Sequence, residues 1–422
     1  MFQLTTLLLQ IAVILVAARV VGTLFRRLGQ PQVIGEMLAG LLLGPSLLGW
    51  LAPGVSAFLF PPDGLTALNA LSQIGLILFM FLIGLELDPQ RLRERARAAV
   101  VISQVSILVP FVLGALLAVY LFPRLGEPDV RLIHLAVFMG VAMSITAFPV
   151  LARILTDRKL LRTPLGMLAI TCAAVDDVSA WCMLAAVVLL VHATEAAASL
   201  WLILGGSALY VVAMLFAVRP ALRRLDGFYQ REGTVGRGLL ALILLLVLAS
   251  AWVTESLGIH ALFGAFLMGA IMPKDHRFVA TLSEKLEDLT VVLLLPIFFA
   301  LTGLRTSIGL LGGDLWLDTL LIIVVAVVGK LGGAMLAGRA TGLAWRDAGV
   351  LGILMNTRGL VELVVLTVGL EVGVIGPTLF TMMVIMALAT TLMTTPLVDW
   401  LFVRSHAPAA SPHPAEGLSP DA

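Results

Sequence analysis

The stretch Leu168-Ala169-Ile170-Thr171-Cys172-Ala173-Ala174-Val175-Asp176-Asp177-Val178-Ser179-Ala180-Trp181 sets two adjacent carboxylates inside an apolar run. That run covers 163–191, and a helix needs about 20 mostly apolar residues to cross a bilayer. A single ionisable side chain near the midplane costs on the order of 3 kcal/mol on the lower insertion scales. Two neighbours add mutual repulsion. Charges kept at such cost mark an ion or proton path by default. Adjacent helix residues point about 100° apart. One carboxylate can therefore face a cavity while the other meets a counter-ion.

The composition around this stretch agrees. Of 422 residues, 60% are hydrophobic and 13% charged, against about 25% charged in soluble domains. A soluble enzyme and a disordered chain are excluded. The net charge of +1 carries no nucleic-acid signal. Cys172 and Cys182 lie inside apolar stretches, so no disulfide framework or zinc knuckle is available. GxxxxGK[ST], HExxH and GxSxG motifs are absent. The expectation is a transporter rather than an enzyme, with no cofactor, nucleotide or nucleic acid, and with membrane lipid as its surroundings.

Thirteen apolar runs are expected to span: 3–25, 31–49, 68–86, 98–121, 132–154, 163–191, 198–218, 236–256, 259–279, 288–309, 316–337, 347–370 and 375–402. With the N-terminus outside, 21 of the 27 basic residues fall in inner loops and three outside, Arg124, Arg131 and Arg305. This bias orients the chain N-out and C-in. The expected location is the inner or plasma membrane, multi-pass. Residues 1–402 read as one membrane transport domain, and the Pro-, Ala- and Ser-rich 403–422 as a disordered cytoplasmic tail.

The fold expected is an all-α polytopic membrane protein built on an inverted repeat of six-helix halves. Gly35-Glu36-Met37-Leu38-Ala39-Gly40 in the second run is echoed by Gly264-Ala265-Phe266-Leu267-Met268-Gly269 in the ninth. This pairs a first half, 1–191, with a second, 236–402, through a linker helix at 198–218. Seven spans of offset invert the second copy, as is common among transporters. The fifth member of each half carries a polar interruption. One holds Ser144, Thr146 and Pro149; the other holds Asn356, Thr357, Arg358 and Gly359. Pro149 removes a backbone donor, and Gly359 permits unwound backbone. Two discontinuous helices crossing there would gather helix ends of both signs around one point.

Other intramembrane charges need partners. Lys330 lies among Gly329, Gly332 and Gly333 in the eleventh run and wants one of the two aspartates. Glu362 stands at i,i+4 from Arg358. That pair is either self-contained or reaches Glu86 or the broken fifth helix. Glu36, if buried, requires a partner that the sequence does not name.

These pieces together resemble the monovalent cation:proton antiporter-2 family of bacterial sodium/proton and potassium/proton exchangers and plant cation/proton exchangers. The likeness rests on Gly35-Glu36 with Gly44-Pro45, Gly84-Leu85-Glu86-Leu87-Asp88, Ser144-x-Thr146-x-x-Pro149, Asp176-Asp177, Pro296-Ile297-Phe298-Phe299, Lys330, and Asn356-x-Arg358-Gly359-x-x-Glu362. It covers about 5–402. It implies a homodimer with a dimerisation domain and an ion-translocating core. It implies Asp177 as the principal ion-binding and proton-carrying carboxylate, Asp176 as a second such carboxylate that also pairs with Lys330, and Thr146 helping to coordinate Na⁺ or K⁺ or to hold the crossing. Glu362 takes a structural role. The function so implied is secondary antiport of a monovalent cation, Na⁺ first and K⁺ second, against H⁺ by alternating access. A cation channel and a sodium-coupled organic solute symporter are the readings from other classes.

Overall fold

The computed structural model describes residues 4–61, 64–86, 96–160, 163–192, 197–222, 235–257 and 260–403. The expected tail, apart from Val403, lies outside the described residues, as do Leu87 and Asp88. Among the described residues there are helices and no strands. We number the principal ones α1 (Leu4–Arg27), α2 (Gln32–Leu43), α3 (Leu65–Glu86), α4 (Ala96–Leu125), α5 (Leu132–Ser144), α6 (Phe148–Asp157), α7 (Pro164–His192) and α8 (Ala197–Ala213). There follow α9 (Arg237–Ser256), α10 (Ala261–Ile271), α11 (His276–Leu289), α12 (Leu295–Arg305), α13 (Leu315–Ala340), α14 (Trp345–Met355), α15 (Leu360–Glu371) and α16 (Pro377–Val398).

Each of the thirteen expected runs falls on helix. Eleven described helices are long and apolar enough to cross a membrane, and twelve if α14 and α15 count as one bent span. The count of thirteen is not reached by length, because the run expected at 259–279 is only the 11-residue α10. Pro273 lies just beyond its end, and Asp275 then starts α11 by accepting from the Arg277 and Phe278 amides. The run expected to begin at 288 begins instead at His276 and passes through a π-turn, Thr290–Leu294, into α12.

Packing sorts the helices into two bundles. One holds α1, α2, α3, α9, α10 and α12; the other holds α4, α5, α6, α7, α13, α14, α15 and α16. The pairings repeat between the halves: α1 packs on α2 as α9 does on α10, and α4 on α5 as α13 does on α14. The exchange is clearest where α2 packs on α12 while α10 packs on α3. Glycines set both of those contacts. A Cβ on Gly40 would strike the Phe299 carbonyl, and one on Gly303 would strike Gly40 itself. In the other copy, a Cβ on Gly84 would strike the Phe266 carbonyl, and one on Gly269 the Phe81 carbonyl. The motif shared by 35–40 and 264–269 is thus a backbone-contact motif, in line with small residues at helix interfaces in lipid.

Polar contacts at helix ends sort the connections into two faces. On one face, Arg158 joins Asp399 and the Gly29 carbonyl, and Lys274 Nζ donates to the Gly84 and Leu85 carbonyls. On the other, Arg124 joins Asp318, Arg305 joins Glu371, and Ser46 Oγ donates to the Thr306 carbonyl. Each joins ends that the charge bias assigns to a single side.

Replacing Gly84 or Gly303 by Leu should lower stability by about 1–3 kcal/mol or more, because the neighbouring backbone cannot yield. Gly332→Ala, which points into open space, should be neutral or raise stability by up to about 1 kcal/mol. Thermal unfolding in detergent, followed by size-exclusion chromatography, separates these outcomes.

Candidate functional site

Two interrupted helices meet inside the second bundle. α5 ends at Ser144, residues 145–147 run extended, and α6 restarts at Phe148 with Pro149 in its first turn. Proline costs nothing there, since first-turn amides have no helical partner. It therefore starts a new helix rather than kinking a continuous one. α14 ends at Met355, and α15 leaves Gly359 at 45° to it. The expectation for Gly359 needs correcting in its reason: φ is 165°, extended backbone open to other residues. Its lack of a side chain matters instead because a Cβ would lie 2.7 Å from Val150 Cγ2 on α6. The breaks touch directly. The Ala147 amide donates to the Thr357 carbonyl at 2.9 Å. Thr146 Oγ1 lies 3.0 Å from the Met355 carbonyl.

Four helix ends thus converge, with negative ends at α5 and α14 and positive ends at α6 and α15. Two buried cations neutralise the end of α5. Arg358 donates from Nη1 to the Ala142 carbonyl at 2.9 Å and from Nη2 to the Met143 carbonyl at 2.6 Å. Lys330 Nζ donates to the Ser144 carbonyl at 2.5 Å. Each cation also holds an acid. Arg358 Nη1 lies 3.0 Å from Glu362 Oε2, with both side chains fully buried. Lys330 Nζ lies 2.7 Å from Asp176 Oδ2, again with both fully buried.

Asp176 is saturated. Besides Lys330, Ser103 donates to Oδ1 at 2.5 Å. Ser106 Oγ and Thr146 Oγ1 stand 3.2 and 2.8 Å from Oδ2. Asp177 is the opposite case. It is 1% exposed, and neither carboxylate oxygen has a hydrogen-bond partner in the protein. Asn356 Oδ1, at the α14 break, is likewise buried and unpartnered. Helix geometry explains the division. Asp176 faces α4 and α13, which carry Ser103, Ser106 and Lys330. Asp177 shares a face of α7 with Trp181, one turn on. Trp181 packs edge-on against Phe263 of α10, ring centroids 5.8 Å apart, and also meets Phe266. That face is turned to the other bundle.

Asp176, Asp177, Lys330, Thr146, Arg358 and Glu362 are therefore assembled on one pair of breaks. Ser144 buttresses it, its hydroxyl reaching the Ile107 and Gly140 carbonyls. Thr357 Oγ1 donates to the Leu354 carbonyl and so closes the end of α14. Two expected core charges stand apart. Glu86 lies at the exposed end of α3 and Glu36 on α2, where it accepts from Gln32 Nε2 at 2.9 Å. Both belong to the first bundle, so the Arg358–Glu362 pair does not reach Glu86; it reaches the broken fifth helix instead, through the Ala142 and Met143 carbonyls. Sequence reading missed Ser103 and Ser106, whose i,i+3 spacing puts them on one face of α4 but does not say what that face meets. It also missed Thr391, whose hydroxyl accepts from the Arg358 amide and reaches its carbonyl.

Known proteins match this architecture. The transmembrane sodium/hydrogen exchanger family matches residues 13–404. The chain belongs to that family. It is 47% identical over 394 residues to the Na⁺/H⁺ antiporter NhaS4 of Synechocystis, covering 93% of this chain and 96% of that protein. It is 43% identical to cation/H⁺ antiporter 17 of Arabidopsis thaliana, covering 93% of this chain and 48% of that protein. Similarity to the K⁺/H⁺ antiporter 1 of Saccharomyces cerevisiae is 34%, covering 96% and 47%. The chain spans about half the length of those two eukaryotic relatives. The solved sodium proton antiporter MjNhaP1 of Methanocaldococcus jannaschii shares the fold, with a TM-score of 0.65 at 15% identity, over 93% of this chain and 96% of that one. The chain is thus a multi-pass membrane protein of an antiporter family.

Arg358→Met should cost about 3–5 kcal/mol, because it strands a buried Glu362 along with the Ala142 and Met143 carbonyls. Arg358→Met/Glu362→Leu should recover part of that loss. Equal thermal unfolding of the single and double variants would show that the two residues do not act as a unit.

Proposed function

We propose that this chain exchanges a monovalent cation, Na⁺ first and K⁺ as the alternative, for H⁺ by alternating access. The observation that carries the reading is the contrast between the two aspartates. Lys330 and Arg358 bring two positive charges to the breaks, and Asp176 and Glu362 bring two negative ones. An ionised Asp177 adds a third negative charge with no protein partner. A bare buried carboxylate is costly, and one positive charge removes the cost. A proton on the carboxylate supplies that charge, and so does a bound monovalent cation. The two compete for one group, which couples their fluxes without further machinery.

Asp177 is thus the ion- and proton-carrying residue, and Asp176 with Lys330 holds the breaks in place beside it. Asn356 Oδ1, unpartnered at the α14 break, is the neutral oxygen best suited to join Asp177 around a cation. Thr146 is committed to Asp176 and the Met355 carbonyl, so its part is to position the crossing. Movement of the second bundle against the first would expose Asp177 to each side in turn. The N-out, C-in orientation rests on the charge bias. A homodimer is part of the same reading. It is supported by an apolar groove on α1 lined by Ala12, Val13, Val16, Ala17, Val20 and Val21, where Ala12 and Ala17 leave room for a second helix.

The test is reconstitution in vesicles with Na⁺, K⁺ and Li⁺ offered separately. Asp177→Asn should abolish cation-driven proton movement, and full retention of exchange by this variant rejects the assignment. Uncoupled current that outruns proton movement would favour a channel. Uptake of an organic anion with Na⁺ would favour a symporter.

A further inference from the structure

On the face that the charge bias assigns to the outside, α12 of the first bundle ends beside α15 of the second. Arg305 Nη1 lies 2.9 Å from Glu371 Oε1, and both side chains are about one-third exposed, at 30% and 32%. The same guanidinium reaches toward Asn69 on α3, Nη2 to Oδ1 3.5 Å. Beneath the pair lies a cavity with room for about one water molecule. Its polar lining comes from both bundles: Asn69, Ser72 and Gln73 of α3, Thr302 and Arg305 of α12, and Thr367 of α15. Thr367 is 6% exposed, and its hydroxyl has no hydrogen-bond partner. It stands one turn from Glu371 on the same face of α15 and about 12 Å along the helix from Gly359. Leu76 and Phe298 line the end of the cavity away from Arg305.

A packed interface has no use for an unpartnered hydroxyl between two amides and an arginine. A path that must be wetted and dried has one. We propose that the Arg305–Glu371 pair is the outer gate of the exchange path and that the cavity beneath it is the stretch of cation path it closes. In the closed form the guanidinium occupies the mouth and repels monovalent cations. When α15 shifts against α12 the pair separates, Arg305 withdraws, and Glu371 with the Asn69, Gln73 and Thr367 oxygens is left to draw a cation inward. Rings of acid and fixed arginines set cation access in this way in other pores.

The proposal rests on the antiport reading, but its test does not need exchange. Thr367→Cys and Ser72→Cys are made separately in a Cys182→Ser background, with the buried Cys172 kept. A cationic, membrane-impermeant methanethiosulfonate is applied from one side of oriented vesicles. Labelling should come from the Arg305 side and should speed up about two- to fivefold when Arg305→Gln is added, the range that an exposed ion pair supports. The swap Arg305→Glu/Glu371→Arg should return the rate toward its starting value. In transport, Arg305→Gln should lower the external cation KM and raise the internal one, since favouring the outward-open state shifts both. A purely structural role would alter folded yield without opposing KM shifts. Labelling only from the Lys274 side, or a rate at both cysteines indifferent to Arg305→Gln, overturns the proposal. If exchange is absent while gated labelling persists, the antiport reading fails and the gate stands.

Discussion

Everything near the centre of this protein depends on the neutralisation of a broken helix end in the absence of water. α5 stops at Ser144 with carbonyls that a continuous helix would have satisfied. Lys330 and Arg358 take those carbonyls, and both cations need buried acids in return. Asp176 and Glu362 meet that need. This one constraint accounts for four of the buried charges, Lys330, Arg358, Asp176 and Glu362. Asp177 falls outside it, and under the antiport reading that surplus is the working part.

Much of the site was legible because charge is costly in lipid. Asp176, Asp177, Lys330, Arg358 and Glu362 stood out against apolar surroundings, and the structure brings all five to the breaks. The breaks themselves were readable from Ser144, Thr146 and Pro149, and from Asn356 through Gly359. The hydroxyls of Ser103 and Ser106 were not, since a serine in a membrane helix can satisfy itself on its own turn. Only tertiary placement turns those two toward Asp176. Glu86 shows the opposite failure: an acid in an apolar run looks like a core charge, yet α3 ends with Glu86 exposed. Glu36 is buried, and the partner that the sequence did not name is Gln32 on its own helix. Helix ends around Pro273 were misplaced for a related reason. Apolar composition continues past the proline, while the cap at Asp275 and the amphipathic turns after it start another helix.

Two kinds of contact divide the molecule, and they suit different duties. Inside the first bundle, α2 meets α12 and α3 meets α10 through glycines that bring backbones together. Such contacts have no slack, so those helices move as one body or not at all. Between the bundles the contacts are of another sort. Arg305 reaches Glu371, Ser307 donates its amide to Thr381 Oγ1, and Gln30 donates to the Leu392 carbonyl. Trp181 lays an aromatic face against Phe263 and Phe266. The three polar contacts can be exchanged for water or a neighbouring partner at small net cost. A rigid frame beside a seam of replaceable contacts is what a rocking mechanism requires, and Asp177 is carried on the helix face that looks onto that seam.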